Sequence, residues 1–185
     1  MDARKIEQFM ALAGQKIAAC LESGSSEKRR LGAQLLLSEV LEYVIKGLGV
    51  IPEFEGTRIS DANRLKYTDA ETGPDKLEMV DGLADVAYTM YWNALAFGVP
   101  LEQAFALVCD NNLQKFVKLV GWSGAARPLE RHEWDCRLDV RWPPEVVQVQ
   151  AIKLGAEFYA VGTDASGKVR KPSSYTAVDL TSLLS

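Results

Sequence analysis

The sequence is poor in the residues that hold soft metals. It has one histidine, His132, and three cysteines, Cys20, Cys109 and Cys136, which lie far apart. That excludes the usual zinc spacings and any disulfide framework, and the expectation is reduced thiols in a cytosolic setting. It also argues against a di-iron bundle protein, whose helices carry Glu-x-x-His motifs. His132 falls outside the helical patterns and reads as an ordinary surface residue. Positive charge is not concentrated anywhere in the sequence. Net charge is −4 and no basic block occurs, so the electrostatic footprint of a nucleic-acid-binding protein is missing. No apolar run is long enough to cross a bilayer. Met1-Asp2-Ala3-Arg4-Lys5 leads directly into a patterned helix, so neither a signal peptide nor a membrane anchor is expected.

What is present is ordinary globular material. The 185 residues are 48% hydrophobic, which fits one domain or one domain with a small appendage and is too apolar for disorder. Ile6, Phe9, Met10, Ala13, Ile17 and Leu21 recur at helical spacing and predict a helix over 4–22. Ser25 or Ser26 can cap a second helix over 27–48, with Gly49 as its stop. Residues 50–74 hold Pro52, Gly56, Gly73 and Pro74 and read as a long connection with a short helical piece. A connection of that length inside a compact domain is often functional. A third helix is expected from Asp75 to Phe97, ended by Gly98, and a fourth from Leu101 to Leu119 behind Pro100. Helices joined this closely predict an all-α four-helix-bundle core over 1–120.

The character changes after Val120. Trp122, Trp134 and Trp142 stand in an irregular stretch with Pro128, Pro143 and Pro144. Residues 146–152 and 157–161 flank Gly155 and read as a β-hairpin. Residues 168–171 could add a strand after the turn at Asp164-Ala165-Ser166-Gly167, and 176–184 a short helix. The expectation for 121–185 is thus a small β-hairpin or meander extension packed on the same unit.

The candidate chemistry lies on helices two and three. Glu39 and Glu42 are three residues apart and share a face, among Leu35, Leu36, Leu37, Val40, Leu41 and Val44. Glu78, Asp81 and Asp85, spaced three and four, align along one face of helix three, between Met79, Val80, Leu83, Ala84 and Val86. No Lys or Arg occurs from Leu77 to Gln114, while the acids Glu78, Asp81, Asp85, Glu102 and Asp110 do. A helix apolar on most sides is expected to be buried, in a core or against another subunit. A buried carboxylate must be paired, protonated or bound to metal. With no cation nearby, a divalent hard cation answers that need, and oxygen-only ligands suit Mg²⁺ or Mn²⁺. The competing reading is a pair of solvated acidic stripes.

These residues resemble a known group. Ser38-Glu39-Val40-Leu41-Glu42 is similar to the Glu-Glu-x-x-Glu signature of the all-α NTP pyrophosphohydrolases: the MazG-like, dimeric dUTPase and phosphoribosyl-ATP pyrophosphohydrolase group. Ser38 stands where that signature has its first Glu. Leu83-Ala84-Asp85-Val86-Ala87-Tyr88 resembles the second signature, Glu-x-x-Asp followed by an apolar run. Asp85 matches the Asp, and the Glu falls at Gly82. Glu78-Met79-Val80-Asp81 is itself a Glu-x-x-Asp one turn earlier, so Glu78 or Asp81, or both, stand in. Asn112 and Lys115 match an Asn-x-x-Lys at the end of helix four that contacts nucleotide in the family. Gly167-Lys168-Val169-Arg170-Lys171-Pro172-Ser173-Ser174-Tyr175 is similar to a C-terminal Gly-Lys-x-x-Lys-Pro…Tyr segment of phage and bacterial relatives, including the MazZ-like ones.

The resemblance implies cleavage of a nucleoside triphosphate between the α- and β-phosphates, giving NMP and pyrophosphate. The substrate would be a deoxynucleotide such as dGTP, dATP or dUTP. Two or three Mg²⁺ ions, with Mn²⁺ as substitute, would be held by Glu39, Glu42 and Asp85 with Glu78 or Asp81. Glu39, Glu42 and Asp85 would be the catalytic set. Asn112, Lys115, Lys168, Arg170, Lys171 and Tyr175 would bind substrate. The location implied is cytoplasmic, in the host if the chain is phage-encoded. Helix three has more apolar surface than one small bundle covers, with Val86, Met90, Trp92 and Leu95 as interface candidates. A homodimer or homotetramer is therefore expected, with neither nucleic acid nor membrane as partner. The alternatives are a non-catalytic helical interaction module and a phosphoribosyl-ATP pyrophosphohydrolase.

Overall fold

The computed structural model describes residues 3–136 and 139–184, with the backbone alone for Asp135 and Cys136. The fold is mixed α/β: four helices, a four-stranded antiparallel sheet and a separate two-stranded hairpin. It divides into two compact units. The inner one runs from Ala18 to Tyr88, and the outer one joins the stretch up to Ile17 with the stretch from Thr89 onward. Residue 120 therefore lies inside the outer unit.

In the outer unit, α1 spans Arg4–Leu12, ten residues short of the expected end. Gly14 explains the stop. At φ 66° it adopts the left-handed conformation that lets Gln15 N–H reach Met10 O at 2.8 Å and Gly14 N–H reach Ala11 O at 3.2 Å. That pair of bonds is a Schellman cap. Ile17 and Leu21, which continued the apolar period, lie exposed beyond it. α4 spans Leu101–Leu113, so it also ends early, six residues before Leu119. Phe116 and Leu119 are buried all the same. They leave the helix to join the sheet through β3, Val117–Lys118.

The sheet has the order β3-β6-β5-β4, with β4 at Arg127–Pro128, β5 at Gln148–Leu154 and β6 at Glu157–Thr163. The predicted hairpin is its centre. Leu154 pairs with Glu157 across Gly155-Ala156. Positive φ at Gly155 alone of the two fits a type II′ turn, whose twist suits paired strands. Side chains alternate between two clusters. Val149, Ala151 and Ala160 face one with Leu119, Leu129 and Trp134. Val161 and Val169 face the other, with Leu12 of α1 and Phe116. Phe9 meets Phe116 edge-on at 5.0 Å between ring centroids, and α1 lies against α4 and β5. Residues 121–147 therefore form one side of a core, where an irregular extension was expected. Within them Arg127 makes two bonds to the buried Glu133 carboxylate, at 2.7 and 2.8 Å.

The expected strand over 168–171 reduces to a single bridge between Thr163 and Val169. Asp164 organises that turn. Its carboxylate accepts from the Ser166 hydroxyl at 2.7 Å, from the Ser166 and Lys168 amides at 2.9 and 3.0 Å, and from Arg170 Nε at 2.8 Å. The tail holds one 3₁₀ turn, Thr181–Leu183.

In the inner unit, α2 spans Ser26–Glu42, and Ser25 caps it by accepting from Lys28 N–H at 3.2 Å. A π-helical turn, Tyr43–Gly47, continues it to the stop at Gly49. The long connection carries a small hairpin, β1 (Glu53–Phe54) with β2 (Thr57–Arg58), and a 3₁₀ turn at Ala62–Arg64. Asp75 caps α3, accepting from Leu77 N–H at 2.7 Å, and α3 runs from Lys76 to Phe97. Its last turns belong to the outer unit.

The expected all-α core is instead mixed α/β. α3 leads into α4 at a bend of 117°. The end of α4 is committed to the sheet, and α2 packs on the 62–64 turn. No single described helix is long and apolar enough to cross a membrane. Cys20 is exposed and Cys109 buried, both as free thiols, and the Cys136 side chain lies outside the described residues. His132 is exposed.

Two tests follow from this packing. A Cβ on Gly162 would come within 2.4 Å of the Trp142 ring, so Gly162→Ala should lower stability by about 1–3 kcal/mol in urea unfolding. Its bonds, the Ser166 hydroxyl first, hold Asp164 down from its ordinary 3.8 to about 2. A depressed acid stabilises the fold above its unfolded value and loses that contribution as pH falls through its folded one. Asp164→Asn should therefore lower the melting temperature at pH 7. The gap to wild type should hold down to pH 3.8 and close as pH approaches about 2.

Candidate functional site

The five acids all lie in the inner unit, on α2 and on the part of α3 before Thr89. Each is exposed. Glu42 is bridged by Lys46 one turn on, at 2.8 Å. Glu39, Glu78, Asp81 and Asp85 have no ion pair among the described residues. Burial of these helices was expected in a core or against another subunit. In the inner unit Leu31 and Leu35 on α2 are both 53% exposed, and Leu77 and Leu83 on α3 are 73% and 64% exposed.

The acids do not converge. Among the described residues no three of Asp, Glu, His and Cys come close enough to hold a metal ion. The donor set of one chain therefore does not fit the Mg²⁺ or Mn²⁺ centre expected of Glu39, Glu42, Glu78, Asp81 and Asp85. The other two acids of the lysine-free span have structural partners. Glu102 accepts from the Tyr91 hydroxyl at 2.5 Å, and Asp110 pairs with Lys5 at 2.5 Å.

The inner unit does contain a cavity of about 250 Å³, between the start of α2 and residues 67–74. Asp69 closes it. Its carboxylate accepts from the Ser26 hydroxyl and faces Arg29 at 3.6 Å and Arg30 at 4.0 Å. The hydroxyl, then the two guanidinium groups, hold the Asp69 pKa below its ordinary value against some desolvation. Arg30 and Glu39 are nine residues apart, and at about 100° per residue they lie on opposite sides of α2. The cavity and the acids are separate features.

The second group of candidates meets in the outer unit. The segment after Val169 returns to the end of α4, where Asn111 is 7% exposed. Asn111 accepts from the Tyr175 hydroxyl and donates to Thr176 O at 2.7 Å. Thr176 donates to Gln114 at 3.2 Å, and Lys115 donates to Asn112 Oδ1 at 2.7 Å. Lys171 sits over the Tyr175 ring, 4.6 Å from its centroid. Ser173 ties the segment to Arg141: its amide donates to Arg141 O at 2.8 Å, and its hydroxyl accepts from the Arg141 amide at 2.9 Å. So Asn112, Lys115, Lys171 and Tyr175 are gathered at one end of α4.

Arg170 is not part of that group. Asp164 holds its guanidinium at 2.6 Å as an internal ion pair. Lys168 is exposed on the same turn and contributes its amide to Asp164. Asn111 is the residue that sequence reasoning passed over. The signal was the doubled Asn111-Asn112, since a helix end that buries one amide can present the next.

Comparison of the chain with protein-family models, with curated proteins and with solved structures found no match.

Proposed function

We propose that the chain is a nucleoside-triphosphate pyrophosphohydrolase that requires a divalent cation and releases NMP and pyrophosphate from a deoxynucleotide. The observation that carries this reading is the junction of Asn111 with Tyr175 and Thr176. Two sequence signatures about sixty residues apart, Asn-x-x-Lys and Gly-Lys-x-x-Lys-Pro…Tyr, meet at one end of α4. Lys115 and Lys171 stand there on two adjoining segments, beside an amide and a phenol. Ammonium groups next to fixed polar groups suit a phosphate chain. The acids of α2 and α3 supply the complementary half of the family pattern, with Mg²⁺ or Mn²⁺ as the cofactor they call for. An all-α four-helix-bundle core over residues 1–120 is part of this reading.

The exposed apolar faces of α2 and α3 favour a second reading, a non-catalytic helical interaction module. The two differ in what EDTA does. Incubation with each (d)NTP and Mg²⁺ or Mn²⁺ should release equal NMP and pyrophosphate, and EDTA should abolish it. Glu39→Gln and Asp85→Asn should each lower kcat/KM by about 10²-fold or more while helical circular dichroism persists. Release from no nucleotide, or release indifferent to EDTA, would remove the enzyme reading and leave the interaction module. Tyr175→Phe deletes one bond to buried Asn111. It should cost about 1 kcal/mol of stability, with KM for the triphosphate rising more than kcat falls.

A further inference from the structure

Arg29 and Arg30 are neighbours in sequence, and on a helix their side chains leave about 100° apart. Both nevertheless line the cavity over the start of α2. Residues 67–74 bring this about by folding across that end of the helix. Gln34 donates to Asn63 at 2.8 Å, and the Tyr67 hydroxyl donates to Ala62 O at 2.8 Å. With its hydroxyl committed, Tyr67 offers its ring as one wall. Ala33, Ala70 and Pro74 extend the apolar lining, and Thr68, beside Asp69, adds a hydroxyl.

Each guanidinium is anchored through one nitrogen. Arg29 Nη1 donates to Gly24 O at 2.9 Å, and Arg30 Nη2 donates to the Ser26 hydroxyl oxygen at 2.7 Å. Arg29 Nη2 and Arg30 Nε face one and the same oxygen, Asp69 Oδ1, at 3.6 and 4.0 Å. Those distances are too long for hydrogen bonds. The other Asp69 oxygen is spent on the Ser26 hydroxyl. Two cations therefore share one acid that sits on neither, and the lining is left with one positive charge in excess. The space is also more than an anion needs. About 250 Å³ is several times the roughly 30 Å³ that a water occupies in the liquid.

We propose that this cavity binds a small phosphate monoester with an apolar or aromatic body, the phosphate taken by Arg29 and Arg30 and the body laid against Tyr67, Ala33 and Pro74. Asp69 keeps the place of the phosphate while the site is empty. A phosphate ester has three terminal oxygens pointing three ways, so it can meet both guanidinium groups at hydrogen-bond length where a single carboxylate oxygen meets neither. It also carries close to two charges at neutral pH, against the one of Asp69. None of these residues belongs to the candidate acids or to the group at the end of α4, so the inference stands apart from the pyrophosphohydrolase reading.

The test is a titration of the ¹⁵N-labelled full chain at low salt, following the amide shifts of residues 67–73. The probes are phenyl phosphate, glycerol 3-phosphate and inorganic phosphate. Phenyl phosphate should bind most tightly, because it alone fills the apolar walls. Arg30→Gln should weaken it about tenfold or more. Asp69→Asn should tighten it several-fold, since a competing charge is gone. An ion cluster that served only to hold residues 67–74 on α2 would give no such gain. The Asp69 ion pairs are solvent-exposed and contribute little to stability, so helical circular dichroism should persist in this variant. Ala33→Leu fills the wall. It should weaken phenyl phosphate and leave inorganic phosphate unchanged, and it decides the matter if Asp69→Asn fails to fold. No shift at 67–73 with millimolar phenyl phosphate would overturn the proposal. So would equal affinity for all three probes, indifference to Arg30→Gln, or weaker binding by folded Asp69→Asn.

Discussion

The outer unit depends on the burial of one hairpin from both sides. Ala151 and Ala160 lie opposite each other in the register and neither has any exposure. Their small side chains leave room on that face for Leu119, Leu129 and Trp134. On the other face Val161 requires cover that the sheet cannot supply, and Leu12 and Phe116 supply it. This requirement ends α4 early. A helix continued to Leu119 would hold Phe116 and Leu119 on helical positions, whereas as extended chain they drop into opposite clusters. It also fixes α1 as a short brace, since Leu12 is its one buried residue.

Much of the fold was legible where a local rule decided it. Ser25, Asp75, Gly49 and Gly98 punctuate α2 and α3 close to where capping chemistry puts them. The hairpin around Gly155 followed from β-branched runs either side of a turn residue. Elements failed where tertiary contacts outweighed periodicity. The apolar spacing of Ile17 and Leu21 continued past Gly14, yet the Schellman bonds close α1 there. In α4 the period ran on through Phe116 to Leu119, and the sheet took both. Residues 121–147 looked irregular because a two-residue strand and a single helical turn leave no period to read.

The candidate site was legible as a set of residue types and not as an arrangement. Asn112, Lys115, Lys171 and Tyr175 do assemble, but through Asn111, whose burial nothing in the sequence distinguishes from its neighbour's. Lys168, Arg170 and Lys171 looked like one cationic cluster. Asp164, six residues before Arg170, divides it by taking the guanidinium. An acid that close to a basic run is itself a warning that the run has an internal partner. For the acids of α2 and α3 apolar surroundings predicted burial, in a core or against another subunit, and within the inner unit their side chains are exposed.

That point bears on how the two helices came to be so apolar. An exposed leucine costs little singly, and many monomers carry several. Leu31, Leu35, Leu77 and Tyr88 are different because they share faces with Glu39, Glu42, Asp81 and Asp85 at matching spacings. A face kept only for solubility would place more charge there and less hydrocarbon. A face kept only for docking would omit the acids, which lose hydration on burial and repel one another. Hydrocarbon and carboxylate at alternating turns of two helices make sense together when the surface is buried and something positive is buried with it. From Leu77 to Gln114 no Lys or Arg occurs, so Lys76 at its first position is the one cation that α3 carries.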